Sequence, residues 1–106
     1  MARTLITVPN SPRRGELIEI RCLIGHPMET GYRRADDGQP LPRDLIRRFE
    51  CHYGDTLVFS AELFAAVAAN PLITFWLRAA DSGPLRFDWQ GDNGFAHSEQ
   101  VQLTVS

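Results

Sequence analysis

The run ELIEIRCLI, residues 16 to 24, sets Ile18, Ile20, Cys22 and Ile24 on one side and Glu19 and Arg21 on the other. A period of two marks a half-buried strand, because successive side chains point to opposite faces of a sheet. The pattern recurs along the chain. Thr4-Leu5-Ile6-Thr7-Val8 ends at Pro9, and the cluster NSPRRG, residues 10 to 15, turns the chain. LIRRFECHY, residues 45 to 53, sets Leu45, Phe49, Cys51 and Tyr53 against Arg48, Glu50 and His52. Gly54-Asp55 turns it into TLVFSAELF, residues 56 to 64. ITFWLRA, residues 73 to 79, faces Ile73, Phe75 and Leu77 inward and Trp76 and Arg78 outward, and LRFDW, residues 85 to 89, alternates in the same way. The hairpin-like GDNG, residues 91 to 94, leads into FAHSEQVQLTV, residues 95 to 105. One segment competes: AELFAAVAAN, residues 61 to 70, is rich in Ala, closes at Asn70-Pro71 and predicts a turn or so of helix. Seven short strands with regular turn signals predict an all-β, immunoglobulin-like antiparallel sandwich.

At 106 residues the chain is one domain, 1–106, large enough to fold on an ordinary hydrophobic core. Its 43% hydrophobic and 23% charged residues are those of a globular protein. Eleven basic against thirteen acidic residues leave a net charge of −2, so no global field draws the chain to nucleic acid or to an anionic membrane. No apolar run is long enough for a membrane helix, and the first residues lack the apolar stretch of a signal peptide. From these features alone the expected location is cytoplasmic.

Between two strands lies GHPMETGYRRADDGQPLP, residues 25 to 42, with no apolar period of either kind. Connections of that length are uncommon in compact domains and tend to be functional or disordered. ADDG, residues 35 to 38, reads as a hairpin tip, so the segment is expected to project from the sandwich as a long hairpin. Met28 and Tyr32 lie among Arg33, Arg34 and Arg43, and all eleven basic residues of the chain are Arg. Aromatics, Met and Arg without Lys make the composition of a contact surface. The structural alternative is that Met28 and Tyr32 fold back over the open end of the sandwich.

Residues for chemistry are few. Cys22 and Cys51 fall on inward faces, where free thiols behave as small hydrophobes, and neither lies in a CxxC motif. His26, His52 and His97 show no ligand spacing, and no nucleophile, base and orienting group can be named together. No metal, no cofactor and no catalysis are expected.

The segment from His26 to Arg43, followed by LIRRFEC, residues 45 to 51, resembles the Z subunit family of the bacterial sulfur-oxidation (Sox) carrier complex. There a His-x-Met-Glu-x-Gly-x-Arg loop precedes an Asp-Gly hairpin and a Pro-Arg step into the next strand. Here these are His26, Met28, Glu29, Gly31, Arg33, Asp37-Gly38 and Pro42-Arg43. The resemblance continues through AAVAANP, residues 65 to 71, and LRFDWQGDNG, residues 85 to 94, and covers essentially the whole chain.

This resemblance implies a non-catalytic binding subunit. In that family the Z sandwich pairs with a Y subunit, whose flexible C-terminal arm bears the Cys that carries thiosulfate-derived sulfur while other pathway enzymes visit it. This chain ends VQLTVS, so the carrier thiol is expected on the partner. The implied location is the periplasm, reached by co-export with a partner that bears the signal, which replaces the cytoplasmic expectation. His26, Met28, Glu29, Gly31, Arg33 and Arg43 are the expected partner- or arm-contacting residues, with Glu29 pairing with one of the Arg. The isolated chain is expected to form homodimers through the uncovered partner surface. Two other classes remain: a copper-handling or adhesion-type sandwich, hinted at by His26 and Met28 although two ligands make a weak site, and a small hydrolase or sulfurtransferase using Cys22 or Cys51.

Overall fold

The computed structural model describes residues 3–106. Seven strands follow one another: β1 (Thr4–Thr7), β2 (Leu17–Ile24), β3 (Ile46–Tyr53), β4 (Thr56–Glu62), β5 (Leu72–Arg78), β6 (Gly83–Gly91) and β7 (Ala96–Leu103). All strand pairings are antiparallel, and two sheets result, ordered β1-β2-β5 and β4-β3-β6-β7. This is the expected immunoglobulin-like sandwich. β4 pairs with β3, whereas in constant-type domains the fourth strand joins the sheet of the first, second and fifth. Among the described residues no helix is long and apolar enough to cross a membrane.

The alternation in sequence becomes the core. Ile18, Ile20, Cys22 and Ile24 of β2 face Phe49 and Cys51 of β3 and Leu85, Phe87 and Trp89 of β6 in one buried cluster. Phe49 is its centre, with ring centroids 5.2 Å from Trp89, 6.1 Å from Phe59 and 6.3 Å from Phe75 and Phe87. Phe75 comes from the opposite sheet and stacks on Phe59 at 4.4 Å, so aromatic packing crosses the interior.

Two details depart from the expected pattern. A register shift between Ile46 and Arg48 buries Leu45 and Ile46 together and throws Arg47 outward, where strict alternation would have turned it toward the core. The helical turn expected within residues 61 to 70 does not form. β4 runs to Glu62, Val67 N–H closes a turn on Phe64, and Asn70 takes a positive φ of 53° before Pro71. Ala-rich composition favours helix by less than a kilocalorie per residue, and the nine residues between the two strands are too few for a nucleus to form against that context.

Cys22 and Cys51 are buried and free. Burial pushes each thiol from an ordinary value near 9.0 to about 12, with the other Cys adding to the rise at Cys22 and Asp88 adding to it at Cys51. Because the folded value is raised, the neutral thiols favour the fold fully below pH 9, and that contribution disappears as pH rises toward 12. In the native protein both thiols should therefore react slowly with Ellman's reagent at pH 8 and rapidly only in denaturant. Rapid native labelling would contradict the packing. Phe49→Ala should cost about 3–5 kcal/mol in urea unfolding, as large-to-small changes at well-packed aromatic sites do.

Candidate functional site

β2 and β3 are joined by the long hairpin, and its two arms are held by backbone pairs. Glu29 and Asp44 exchange N–H···O bonds of 2.7 Å in both directions, Leu41 N–H donates to Arg33 O at 2.9 Å and Ala35 N–H to Gln39 O at 2.8 Å. The tip closes where Gly38 N–H reaches Ala35 O, with Gly38 at a φ of +84° and Asp37 accepting from Gln39 N–H. ADDG is thus the tip, as expected. Gly31 also has a positive φ, +90°, and a Cβ there would press on the Arg43 side chain of the opposite arm at 3.2 Å. The motif glycine therefore permits the two arms to meet.

Met28 and Tyr32 part company. Tyr32 is 87% exposed, whereas Met28 is buried under the end of the sandwich. Met28 takes a left-handed φ of 50°, unusual for a long side chain, and two contacts hold it. Its N–H donates to His26 Nδ1 at 3.0 Å, and its Sδ accepts from Ile46 N–H at 3.2 Å. His26 is buried beside it, its ring edge-on to Phe95 at 4.8 Å. Since Nδ1 accepts, the neutral ring carries its proton on Nε2, which faces Asp44 Oδ1 at 3.6 Å, beyond hydrogen-bond reach. The His26 backbone is clasped by Asn70: His26 N–H donates to Asn70 Oδ1 and Asn70 N–H donates to His26 O. The soft atoms thought of as copper donors are engaged with separate backbone amides. Among the described residues no three His, Cys, Asp or Glu side chains are placed to hold a metal ion.

The Arg residues are engaged as well. Arg33 grips Glu29 through Nε, 3.2 Å from each carboxylate oxygen, and through Nη2 at 2.6 Å, the pairing expected for Glu29. The bonds from Arg33 hold the Glu29 carboxyl below its ordinary range. Arg43 reaches across to Asp92, in the short 3-10 turn between β6 and β7, with Nε 3.1 Å from Oδ2. Asp92 also accepts from Arg47 Nε at 3.0 Å and Leu45 N–H at 3.1 Å, while its own N–H donates to Leu45 O at 2.8 Å. Hydrogen bonding from Arg47 first, and then Leu45 N–H and the two guanidinium charges, lower the Asp92 pKa. Asn93 Nδ2 donates to Arg43 O, and at Gly91 any Cβ would lie inside van der Waals contact of the Leu45 carbonyl. All six expected site residues thus lie in the hairpin or at its root, and five residues outside the expected set complete the arrangement: Asp44, Arg47, Asn70, Asp92 and Asn93.

The profile of the SoxZ family, described as sulphur oxidation protein SoxZ, matches residues 6–102. The chain belongs to the SoxZ family. That membership places it in the sulfur-oxidation (Sox) system, with the hairpin, its root and all but the outer ends of β1 and β7 inside the matched span. Solved structures share the fold. The sulfur carrier protein SoxY from Chlorobium limicola f. thiosulfatophilum superposes with a TM-score of 0.66 at 13% identity, over 97% of this chain and 78% of that one. A superoxide reductase (neelaredoxin) from Ignicoccus hospitalis gives 0.75 at 17% identity, over 97% and 80%. A putative superoxide reductase from Thermotoga maritima gives 0.75 at 17%, over 97% and 85%. At such identities the likeness is one of fold. No curated protein matches the chain.

Asp92→Asn should loosen this SoxZ hairpin at its foot while leaving the sheets intact. The expected result is faster hydrogen exchange at the Glu29, Asp44 and Leu45 amides with unchanged protection in β2 and β6. Acid should act in the same way. The Glu29 and Asp92 pKa values are depressed, so their stabilisation is present above the ordinary carboxylate values of 4.5 and 3.8 and is lost as pH falls through the lowered ones. Hairpin protection that stays constant down to pH 2 would contradict this.

Proposed function

We propose that this chain is the non-catalytic half of a two-sandwich sulfur carrier, paired one to one with a SoxY-type subunit. The partner's C-terminal Cys carries sulfur covalently during thiosulfate oxidation, and other pathway enzymes contact the complex transiently. The observation that carries the reading is the state of this chain's own thiols. A SoxZ-family protein whose two Cys are buried and pushed up to about 12 offers very little thiolate, which supports an acceptor on another chain. The fold it has in common with SoxY from C. limicola supports a partner built on the same plan. The site of action in this reading is the periplasm, reached together with the partner.

The hairpin is the element offered to the partner. Tyr32 stands exposed beside Arg33, a pairing of residue types common among interface hot spots. The forks of Arg33 and Arg43 are already turned to Glu29 and Asp92, which favours a rigid protein-contacting surface over an open clamp for a thiosulfate adduct. Co-expression with a SoxY subunit and gel filtration should give a one-to-one complex, burying at least about 1,200 Å² in total. Separate elution at micromolar concentration would overturn the pairing. Arg33→Ala combined with Arg43→Ala should weaken the complex. Unchanged affinity with slowed thiosulfate-dependent electron transfer in the reconstituted pathway would instead assign the hairpin to the carrier arm.

A further inference from the structure

The outer face of the β1-β2-β5 sheet lies outside the hairpin. Its side chains form rows across the strands: Leu5, Leu23 and Leu72, then Thr7, Arg21 and Thr74, then Glu19 and Trp76, then Leu17 and Arg78. Leu5, Leu17, Leu72 and Trp76 are each at least 50% exposed. Large apolar side chains gathered on one outer sheet face mark an interaction surface. Glu19 and Arg21 stand between the apolar rows, and among the described residues neither makes an ion pair within the chain. The contrast is with Arg14, Arg33, Arg43, Arg47, Arg48 and Arg86, which all do.

The order along β2 decides what fits. Outward from Ile20 in each direction come a charge and then a Leu: Glu19 and Leu17 on one side, Arg21 and Leu23 on the other, with opposite charges. A second copy, turned about a two-fold axis that lies between the faces and runs across the strands, sets Arg21 over the second copy's Glu19. The same rotation sets Leu23 over Leu17, and every contact occurs twice. On β5 it brings Trp76 over Thr74 and the aliphatic stem of Arg78 over Leu72. An axis along the strands would instead stack Arg21 on Arg21 and Glu19 on Glu19. We propose that two copies of this chain associate face to face and antiparallel through this sheet, in register about Ile20.

Three strands about 4.8 Å apart and eight residues at about 3.3 Å each give a patch of about 14 by 26 Å. That footprint, about 360 Å² on each copy, is below the roughly 800 Å² per partner of stable interfaces, so the dimer is a weak one that forms at tens of micromolar or above. Its surface is distinct from the hairpin, so it holds or fails independently of the pairing with SoxY. Sedimentation equilibrium of the isolated chain at low salt, from micromolar to millimolar concentration, should show a monomer–dimer equilibrium that weakens as salt is added. Arg21→Glu and Glu19→Arg should each weaken the dimer by about tenfold or more, because each lays two pairs of like charges together. The double exchange Glu19→Arg with Arg21→Glu should return it to within about threefold of the parent, since the pattern is then reversed but again complementary. A monomer at every concentration, single variants without effect, or a double variant as weak as the singles would overturn the proposal. A second readout needs no substitution: amide shifts that change on dilution should fall on β1, β2 and β5, and changes confined to β4, β3, β6 and β7 would also overturn it.

Discussion

The Asp92 carboxylate holds the foot of the hairpin. A connection of this length costs entropy to order, and a few lateral backbone bonds far from the core would not by themselves fix its direction. Asp92 accepts from the guanidinium groups of Arg43 and Arg47 and from the Leu45 amide, three residues where the second arm enters β3. Each donor is satisfied only if that arm leaves the sheet at one angle. The approach also depends on Gly91, because a side chain there would meet the Leu45 carbonyl and push the turn away from the arm it anchors. Even the register shift in β3 contributes, since it turns Arg47 outward and within reach of Asp92.

The other arm is fixed from the opposite side. Asn70 clasps the His26 backbone, His26 accepts from Met28, and Met28 sulfur accepts from the Ile46 amide. Together with the bonds to Asp92, these contacts join three stretches distant in the chain: the hairpin motif, the AAVAANP segment and the LRFDWQGDNG segment. The residues that make the chain recognisable as a SoxZ-family member therefore meet at one place, the hairpin root. Their chemistry there is that of donors and acceptors closing a joint. In the pairing proposed above, contact with the partner is assigned to what the joint holds out, Tyr32 and the exposed faces of Arg33 and Arg43.

The strands were legible because period-two burial is written in neighbouring residues, and Ile18, Ile20 and Cys22 needed no partner to declare their face. The hairpin tip was legible for the same local reason, in Asp37-Gly38. What could not be read was any bond between distant positions. Arg43 and Asp92 lie 49 residues apart, and His26 and Asn70 lie 44. The carboxylate that engages Arg43 and the amide that holds His26 sit in GDNG and at Asn70-Pro71, where the local pattern declares a turn but not its distant partner. Residues 61 to 70 misled because Ala content reports a local preference, while β4, Pro71 and the His26 clasp decide the outcome from outside the segment.

Under the function proposed above, a subunit beside a carrier thiol has a particular reason to seal its own. Transfer proceeds through thiolates, so a competing thiolate close to the carrier would divert the cargo into a mixed disulfide. With pKa values pushed up to about 12, Cys22 and Cys51 expose only about one thiolate in 10⁵ at pH 7, and the closed faces of the sandwich keep even that fraction from colliding with an adduct. Their size suits the inter-sheet space, where Val would add a methyl group to a close-packed layer. Packing and chemical silence thus make the same demand at both positions: a small apolar side chain, fully enclosed, from which the sulfur of the pathway is kept away.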